Sequence, residues 1–242
     1  MKRGPQRSVD PRAVLDAALE LVDGGGLTMR ALAARVGLTP GALYTYFPDR
    51  AAIMNALADR LLAEADLGVL EDRARPPHQR IEDFALTLRE VLLRHPAAVP
   101  VILGAAYSGP VALRVGESML GVLPDPRACY AVMVYVLGAI ALEAAELVDS
   151  GGKDGKDGKD GKDGKDGKES KESKDSKSGK DGKSAEARGA LPSEAERIAV
   201  RRAALVVDPE AFPRTHAAAD AIAAYISTDQ FRWGLRRLLA GL

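Results

Sequence analysis

Leu38-Thr39-Pro40-Gly41-Ala42-Leu43-Tyr44-Thr45-Tyr46-Phe47-Pro48-Asp49-Arg50 is the stretch on which the reading of this chain turns. Thr39 suits a helix N-cap, because its hydroxyl oxygen accepts an amide hydrogen of the first turn. Pro40 fits the first helical position, where a missing N–H costs nothing. The helix that starts at Pro40 is stopped early: Pro48 disfavours a helical Phe47, and Asp49 is placed to cap a new helix from Arg50. About two turns remain, carrying Pro40, Gly41, Ala42, Tyr44, Thr45 and Tyr46. So short a helix must be held by neighbours, and Leu43 and Phe47, four apart, supply the anchoring face. The other face is small at its N-terminal end and hydroxyl-bearing at its C-terminal end, which suits close approach to a phosphate backbone and to base edges. On these residues alone two readings stand, a recognition helix for nucleic acid and a short connecting helix of an all-α domain.

Working upstream, Gly37 ends a helix capped by Thr28, with Leu32, Ala33 and Val36 facing inward. Before it, Asp10-Pro11 opens a helix in which Val14, Ala18, Leu21 and Val22 recur at helical spacing, and Gly24-Gly25-Gly26 stops it near Asp23. Only Leu38 and Thr39 separate Gly37 from Pro40, the tight glycine-containing turn expected of a helix-turn-helix. Residues 1–9 form a basic arm expected to be flexible; Arg3 and Arg7 suit either a minor groove or a solubilising tail.

Val14, Ala17, Ala18, Leu21, Gly26, Thr28, Leu32, Ala33, Gly37, Thr39, Gly41, Leu43, Tyr44, Tyr46, Phe47 and Arg50 together resemble the N-terminal domain of the TetR family of bacterial transcriptional regulators. The resemblance covers about Arg12 to Leu57. It implies that Arg30, Pro40, Gly41, Ala42, Tyr44, Thr45 and Tyr46 face double-stranded DNA and that Arg50 meets a phosphate. Thr39, Tyr44 and Arg50 carry hydrogen-bond donors for phosphate oxygens, which agrees. Pro48 replaces a residue that is polar in many members, and Arg50 stands where lysine is common; both leave the operator sequence open.

Downstream, a helix from Arg50 to about Ala65, with Ile53, Leu57, Leu61 and Leu62 inward, leads out of a DNA-binding domain of residues 10–66. Residues 67–242 read as a helical regulatory and dimerisation domain. Pro76-Pro77 restarts the chain into an amphipathic helix (Ile81, Phe84, Leu88, Val91, Leu92) ending near His95-Pro96. Short helices are expected at Val99 to Leu103 and from Pro110, the latter with Val111, Val115, Met119 and Leu120. Pro126 opens the most apolar helix, to about Val148, and a helix apolar all round belongs in a large core or at a subunit interface. Helices are also expected at Leu191 to Val207, Ala217 to Tyr225 and Asp229 to Leu242. The last is amphipathic through Phe231, Leu235, Leu238 and Leu239; with the Pro126 helix it suits a four-helix bundle between two copies.

Residues 150–189 interrupt this domain. Glycine recurs every third place from Gly152 to Gly167 and lysine every third place from Lys153 to Lys183. Proline is absent and the glycine period lapses, so the stretch reads as a disordered polyampholyte linker rather than a collagen-like repeat.

The C-terminal part resembles, more weakly, the tetracycline-repressor branch of the family, through Leu92 to Arg94, Ile102 to Gly104 and Leu137 to Ala139 followed by Glu143. By that resemblance the positions of a metal-ligating histidine and a drug-orienting asparagine are taken by Ile102 and Phe84. Neither can hold a magnesium–drug complex. Phe84, Leu88, Ile102, Tyr107, Met119 and Tyr135 are candidates to line a cavity between helices, each also readable as plain core. Tyr107, Tyr135 and Glu143 are candidates to orient a ligand.

Composition sets the outer limits. Formal net charge is zero over 242 residues, so any basic patch is local. The single cysteine, Cys129, excludes a disulfide framework and a cysteine metal site and argues for a reducing compartment. Lys2, Arg3 and Arg7 are followed by no apolar secretory segment, and the charge-free run Ala128 to Leu142 is short for a membrane span. His78, His95 and His216 have no metal-ligand spacing, and no nucleophile motif or phosphate-cradling loop occurs. Glu143 and Glu146 read as a solvated helix end rather than an acid–base pair. The expectation is an all-α, cytoplasmic, homodimeric repressor, not an enzyme, with no cofactor and no metal. Its partners are a palindromic operator and a small hydrophobic effector. The alternatives are a regulator independent of any ligand, or a helical interaction module or enzyme that does not bind DNA.

Overall fold

The computed structural model describes residues 9–151 and 191–242. The sequence readings of the basic arm (Arg3, Arg7) and of the lysine-rich insert therefore lie outside the described residues, except at Val9, Ser150 and Gly151. The described residues form helices and no strand: α1 (Pro11–Asp23), α2 (Met29–Arg35), α3 (Pro40–Leu43), α4 (Arg50–Ala63), α5 (Gly68–Glu71), α6 (Pro77–Leu93), α7 (Val99–Leu103), α8 (Pro110–Val122), α9 (Pro126–Gly151), α10 (Glu194–Ala204), α11 (Pro213–Ala217), α12 (Ala219–Ala223) and α13 (Thr228–Leu239). A 3-10 turn at Pro96–Ala98 leads into α7.

The caps are those the residue types demand. Asp10 accepts the Arg12 amide at 2.9 Å, Thr28 that of Ala31 at 3.0 Å, Thr39 that of Ala42 at 3.2 Å and Asp49 that of Ala52 at 2.7 Å. Ser193 and Glu196 form a reciprocal capping box at the start of α10. Gly37 turns the chain between α2 and α3 at φ 71°, a conformation that costs a side-chain-bearing residue free energy.

Two helical expectations are corrected and one helix is added. The α-helical part of the recognition segment ends at Leu43; Thr45 and Tyr46 continue it through tighter bonds to Ala42 and Leu43, because the chain must leave the helix before Pro48. The helix expected over Ala217 to Tyr225 is two short ones, α11 and α12, broken at Ala218 (φ −97°, ψ 7°). The short α5, packed on α6, was not legible.

One apolar core runs from the head into the helices that follow α4. Val14, Ala18, Leu32, Leu43 and Ile53 fill the head, Leu57 and Leu61 continue it along α4, and Ile81, Leu92, Ile102, Val136, Ile140 and Leu235 complete it. Helix α4 packs on α1 and also on α6, α7 and α8, so the head and the helices that follow it share one element. His95, at the end of α6, adds a 2.8 Å contact from Nδ1 to Asp23 Oδ2 at the end of α1.

Helix α9 buries one face only. Ala128, Val132, Val136, Ile140, Ala144 and Leu147 are buried, while Tyr130, Val134, Leu142 and Val148 are exposed. By length and composition α9 could cross a membrane, although its longest charge-free run seemed short for one. Its buried face packs on α6, α7, α13 and the 3-10 turn. The solvated-end reading of its acids is also corrected. Glu143 is buried and takes a bidentate pair from Arg89 (2.9 and 2.8 Å) and a 2.5 Å bond from Arg197 of α10. Glu146 pairs with Arg201. Glu82 of α6, also buried, receives Arg236 of α13 through two 2.8 Å bonds. Buried carboxylates at these positions require such partners, which only packing could supply.

Candidate nucleic-acid interface and ligand cavity

The head presents the candidate DNA-binding residues on one exposed segment. Leu43 and Phe47 are buried, anchoring it, while Thr39, Pro40, Gly41, Tyr44, Thr45 and Arg50 are exposed and Ala42 and Tyr46 are partly covered. Arg30, at the second position of α2, is exposed as well.

Hydrogen bonding sorts these side chains by what they can still offer. Thr39 uses its oxygen as an acceptor for the α3 cap and keeps its hydroxyl hydrogen. Thr45 donates its hydroxyl to the Ala42 carbonyl at 2.6 Å, leaving acceptor lone pairs and a methyl group outward. Tyr46 accepts the Val9 amide at 3.2 Å, tying the first described residue to the recognition segment, and keeps its own hydrogen. Tyr44, Arg30 and Arg50 form no side-chain hydrogen bond or ion pair among the described residues. Arg35 and Arg60 of the same head are already paired with Glu20 and Asp16. The free donors are thus Thr39, Tyr44, Tyr46, Arg30 and Arg50, the set suited to phosphate oxygens. Arg12, on the first turn of α1, is also exposed and unpaired among the described residues; sequence reasoning passed over it.

The second feature is an apolar cavity of about 520 Å³ between α4, α6, α8 and α9. Phe84, Leu88, Tyr107 and Met119 line it, as the sequence suggested, together with Leu62 of α4 and Tyr130, Met133 and Val136 of α9. Ile102 and Tyr135 do not line it. Ile102 is fully enclosed in the core, and Tyr135 turns the other way, donating its hydroxyl to the Phe231 carbonyl at 3.0 Å. Glu143 is likewise outside the wall, consumed by its arginines. Both aromatic-or-aliphatic candidates carried the right residue type, but the rotation of a helix about its axis decides which neighbour each one meets. Leu62, Glu117, Cys129 and Tyr130 also line the cavity, and no local sequence signal marks them.

Tyr107 holds φ 50°, a left-handed conformation that is costly for a bulky residue, on the order of 1–3 kcal/mol. Its hydroxyl donates to the Ile102 carbonyl at 2.6 Å, which fixes the ring in the cavity wall. Burial pushes its phenol above the ordinary pKa, so it stays protonated. Burial, aided by Asp125, does the same for Cys129, whose thiol donates to the Leu123 carbonyl at 3.1 Å. An inert thiol, not a nucleophile, results.

A helix-turn-helix head with uncommitted donors is thus joined by one helix to an all-helical part that holds an apolar cavity. Residues 14–57 match the family of bacterial regulatory proteins, tetR family. The HTH-type transcriptional repressor DrrR1 of Streptomyces coeruleorubidus is 30% identical over 152 residues, covering 57% of this chain and 54% of that protein. The tetracycline repressor protein class A from transposon 1721 of Escherichia coli is 42% identical over 59 residues, 23% of this chain and 27% of that protein. The chain thus spans about half of one curated relative and a quarter of the other. Across the whole fold, the chain superposes on a crystal structure described as a possible TetR family transcriptional regulator from Streptomyces coelicolor A3(2). There the TM-score is 0.67 with 25% identity, over 96% of this chain and 98% of that one. Residues 14–57 are thus similar to the tetR family head, and the chain as a whole is similar in fold to a possible regulator of that family.

Proposed function

We propose that this protein is a cytoplasmic, homodimeric repressor that holds a palindromic operator and releases it when a small, largely apolar molecule fills the cavity. One observation carries the reading: α4 takes part in both sites. Arg50 opens it as an unpaired donor beside the recognition segment, and Leu62, roughly 18 Å along the helix, forms part of the cavity wall. A molecule that pushes on Leu62 therefore acts on the element that carries Arg50. The reading gives the protein no enzymatic role.

Dimerisation is supported by exposed Val134, Leu142 and Val148 of α9 and by exposed Trp233 of α13. Such a stripe, left uncovered, is characteristic of an interface. A ligand preferring the released form about a thousandfold contributes about 4 kcal/mol to release, whereas one indifferent to the two forms shifts nothing. The cavity wall contains no histidine and has Phe84 where a polar drug contact would be needed, which supports an effector other than a magnesium–tetracycline complex.

Footprinting on the DNA upstream of the gene tests this reading. Two inverted half-sites about 34 Å apart are expected. Tyr44→Ala and Arg50→Ala should weaken binding to all sequences, with Arg50→Ala flattening the salt dependence by about one unit. Wild-type affinity in the double variant would overturn the assignment of this face.

A further inference from the structure

Resting on the reading of the cavity as an effector site, we infer that its effector is an aromatic organic cation rather than a neutral or anionic molecule. The argument is an inventory of the wall. No lysine, arginine or histidine lines the cavity, and Glu117 of α8 supplies its sole charged group. Glu117 is exposed at the mouth and forms no ion pair or side-chain hydrogen bond among the described residues. Arg114 and Arg127, the nearest basic residues in the chain, are not part of the wall.

The remaining polar groups point to the same polarity. Tyr107 spends its hydroxyl hydrogen on the Ile102 carbonyl and Cys129 its thiol hydrogen on the Leu123 carbonyl, so each offers the cavity only an acceptor. Tyr130, exposed at the mouth, is the one hydroxyl in the wall with its hydrogen uncommitted. An anion would meet a carboxylate and acceptor lone pairs and be repelled. A cation meets Glu117 together with the faces of Phe84, Tyr107 and Tyr130, whose ring quadrupoles attract positive charge, inside walls that otherwise favour apolar surface. The lining methionines, Met119 and Met133, add polarizable contacts for an aromatic ring.

A matched pair of probes tests the charge preference on the full-length protein. (1-Naphthylmethyl)trimethylammonium and its neutral carbon isostere, 1-neopentylnaphthalene, share shape and differ in charge. By naphthalene fluorescence titration, the cation should bind roughly five- to tenfold more tightly than the isostere at low salt. Glu117→Gln should remove most of that difference while leaving the isostere's affinity and the melting temperature unchanged. Glu117→Lys should reverse the order in favour of 1-naphthylacetate. Equal binding of cation and isostere, or an unchanged preference in Glu117→Gln, overturns the inference and leaves the cavity reading intact. Binding of neither probe to the unmutated protein overturns the cavity reading, and this inference with it.

Discussion

Asp59 of α4 accepts the backbone amide of Val111 in α8 at 2.9 Å, and the same oxygen takes the Ala112 amide at 2.8 Å. Helix α8 has no side-chain cap of its own, since Gly109 precedes it, so a residue of a different helix satisfies its first turn. Gly109 is required there, because a Cβ at that position would collide with the Asp59 side chain. One turn earlier on α4, Asn55 Oδ1 accepts the Ala106 amide at 2.9 Å. The helix that Arg50 opens is therefore fastened by two polar side chains to the segment that forms one wall of the cavity.

Removing this cap should be measurable. Asp59→Ala is expected to cost about 1 kcal/mol, within the range for lost N-caps, and to raise hydrogen exchange at the Val111 and Ala112 amides. Urea unfolding and exchange mass spectrometry read the two effects. Unchanged protection of those amides would mean that the cap is not made in solution.

The buried Glu143 cluster should behave differently from the surface pairs. Glu143→Ala leaves the buried Arg89 and Arg197 guanidiniums only their longer contacts to Glu194 (3.3 Å) and Glu146 (3.5 Å) and should cost roughly 2–4 kcal/mol. Glu20→Ala, which breaks the well-exposed Arg35 pair, should cost less than about 1 kcal/mol. Comparable midpoints for the two variants in chemical denaturation would contradict the burial of Glu143.

Helix α13 approaches α9 closely at Gly234, where any Cβ would collide with the Tyr135 ring and hydroxyl. In an exposed helix, glycine to alanine would stabilise by about 1 kcal/mol. Here Gly234→Ala should destabilise by about 1–3 kcal/mol, since the collision outweighs the propensity gain. The companion Gly234→Ala, Tyr135→Phe variant should recover part of the loss, because the hydroxyl makes the closest contact. A stabilised single variant in thermal unfolding would show that α13 can back away from α9.

Acid should weaken the contact between α10 and α13 in a defined way. Burial works to raise the pKa of Glu194, but hydrogen bonds from the Thr228 hydroxyl (2.7 Å) and amide (2.9 Å), with the charges of Arg89 and Arg197, hold it below the ordinary value. A carboxylate whose folded pKa is depressed stabilises the fold fully above its unfolded pKa, about 4.3, and loses that contribution as pH falls through the folded value. Urea midpoints of the unmutated protein and Glu194→Gln should therefore differ at pH 7, and the difference should shrink progressively as pH falls below about 4.3. A gap that does not shrink on acidification would assign the effect to something other than ionisation.

The insert should be dispensable. Glu143 and Glu146 of α9 pair with Arg197 and Arg201 of α10, which sets these helices side by side from within the described fold. If the segment adds no structure of its own, shortening it changes closure entropy by only about 0.6 kcal/mol per factor of two in length. Replacing Gly152 to Lys183 with a short glycine–serine linker should leave the melting temperature and the oligomeric state unchanged by light scattering. Loss of either would give the segment a structural role.

Much of the head was legible because its signals are local. Asp10, Thr28, Thr39 and Asp49 act on amides two or three residues away, and Gly37 and Pro48 constrain the dihedrals of their own or the preceding residue. The amphipathic pattern of α6 and the proline starts of α8 and α9 were readable for the same reason. Which aromatic residue enters the cavity was not. Phe84 and Tyr107 enter while Tyr135 turns to α13, and no residue near Tyr135 in sequence announces Phe231 or Gly234. The fate of the charges was hidden likewise: Glu143 finds Arg89 54 residues before it and Arg197 54 residues after it, and Asp59 finds amides more than 50 residues on. Local chemistry determined where the helices begin and end and which segment presents its donors outward. Tertiary packing alone decided the cavity, the buried ion pairs and the link between the two sites, because each depends on which distant side chains the shared core brings within hydrogen-bond reach.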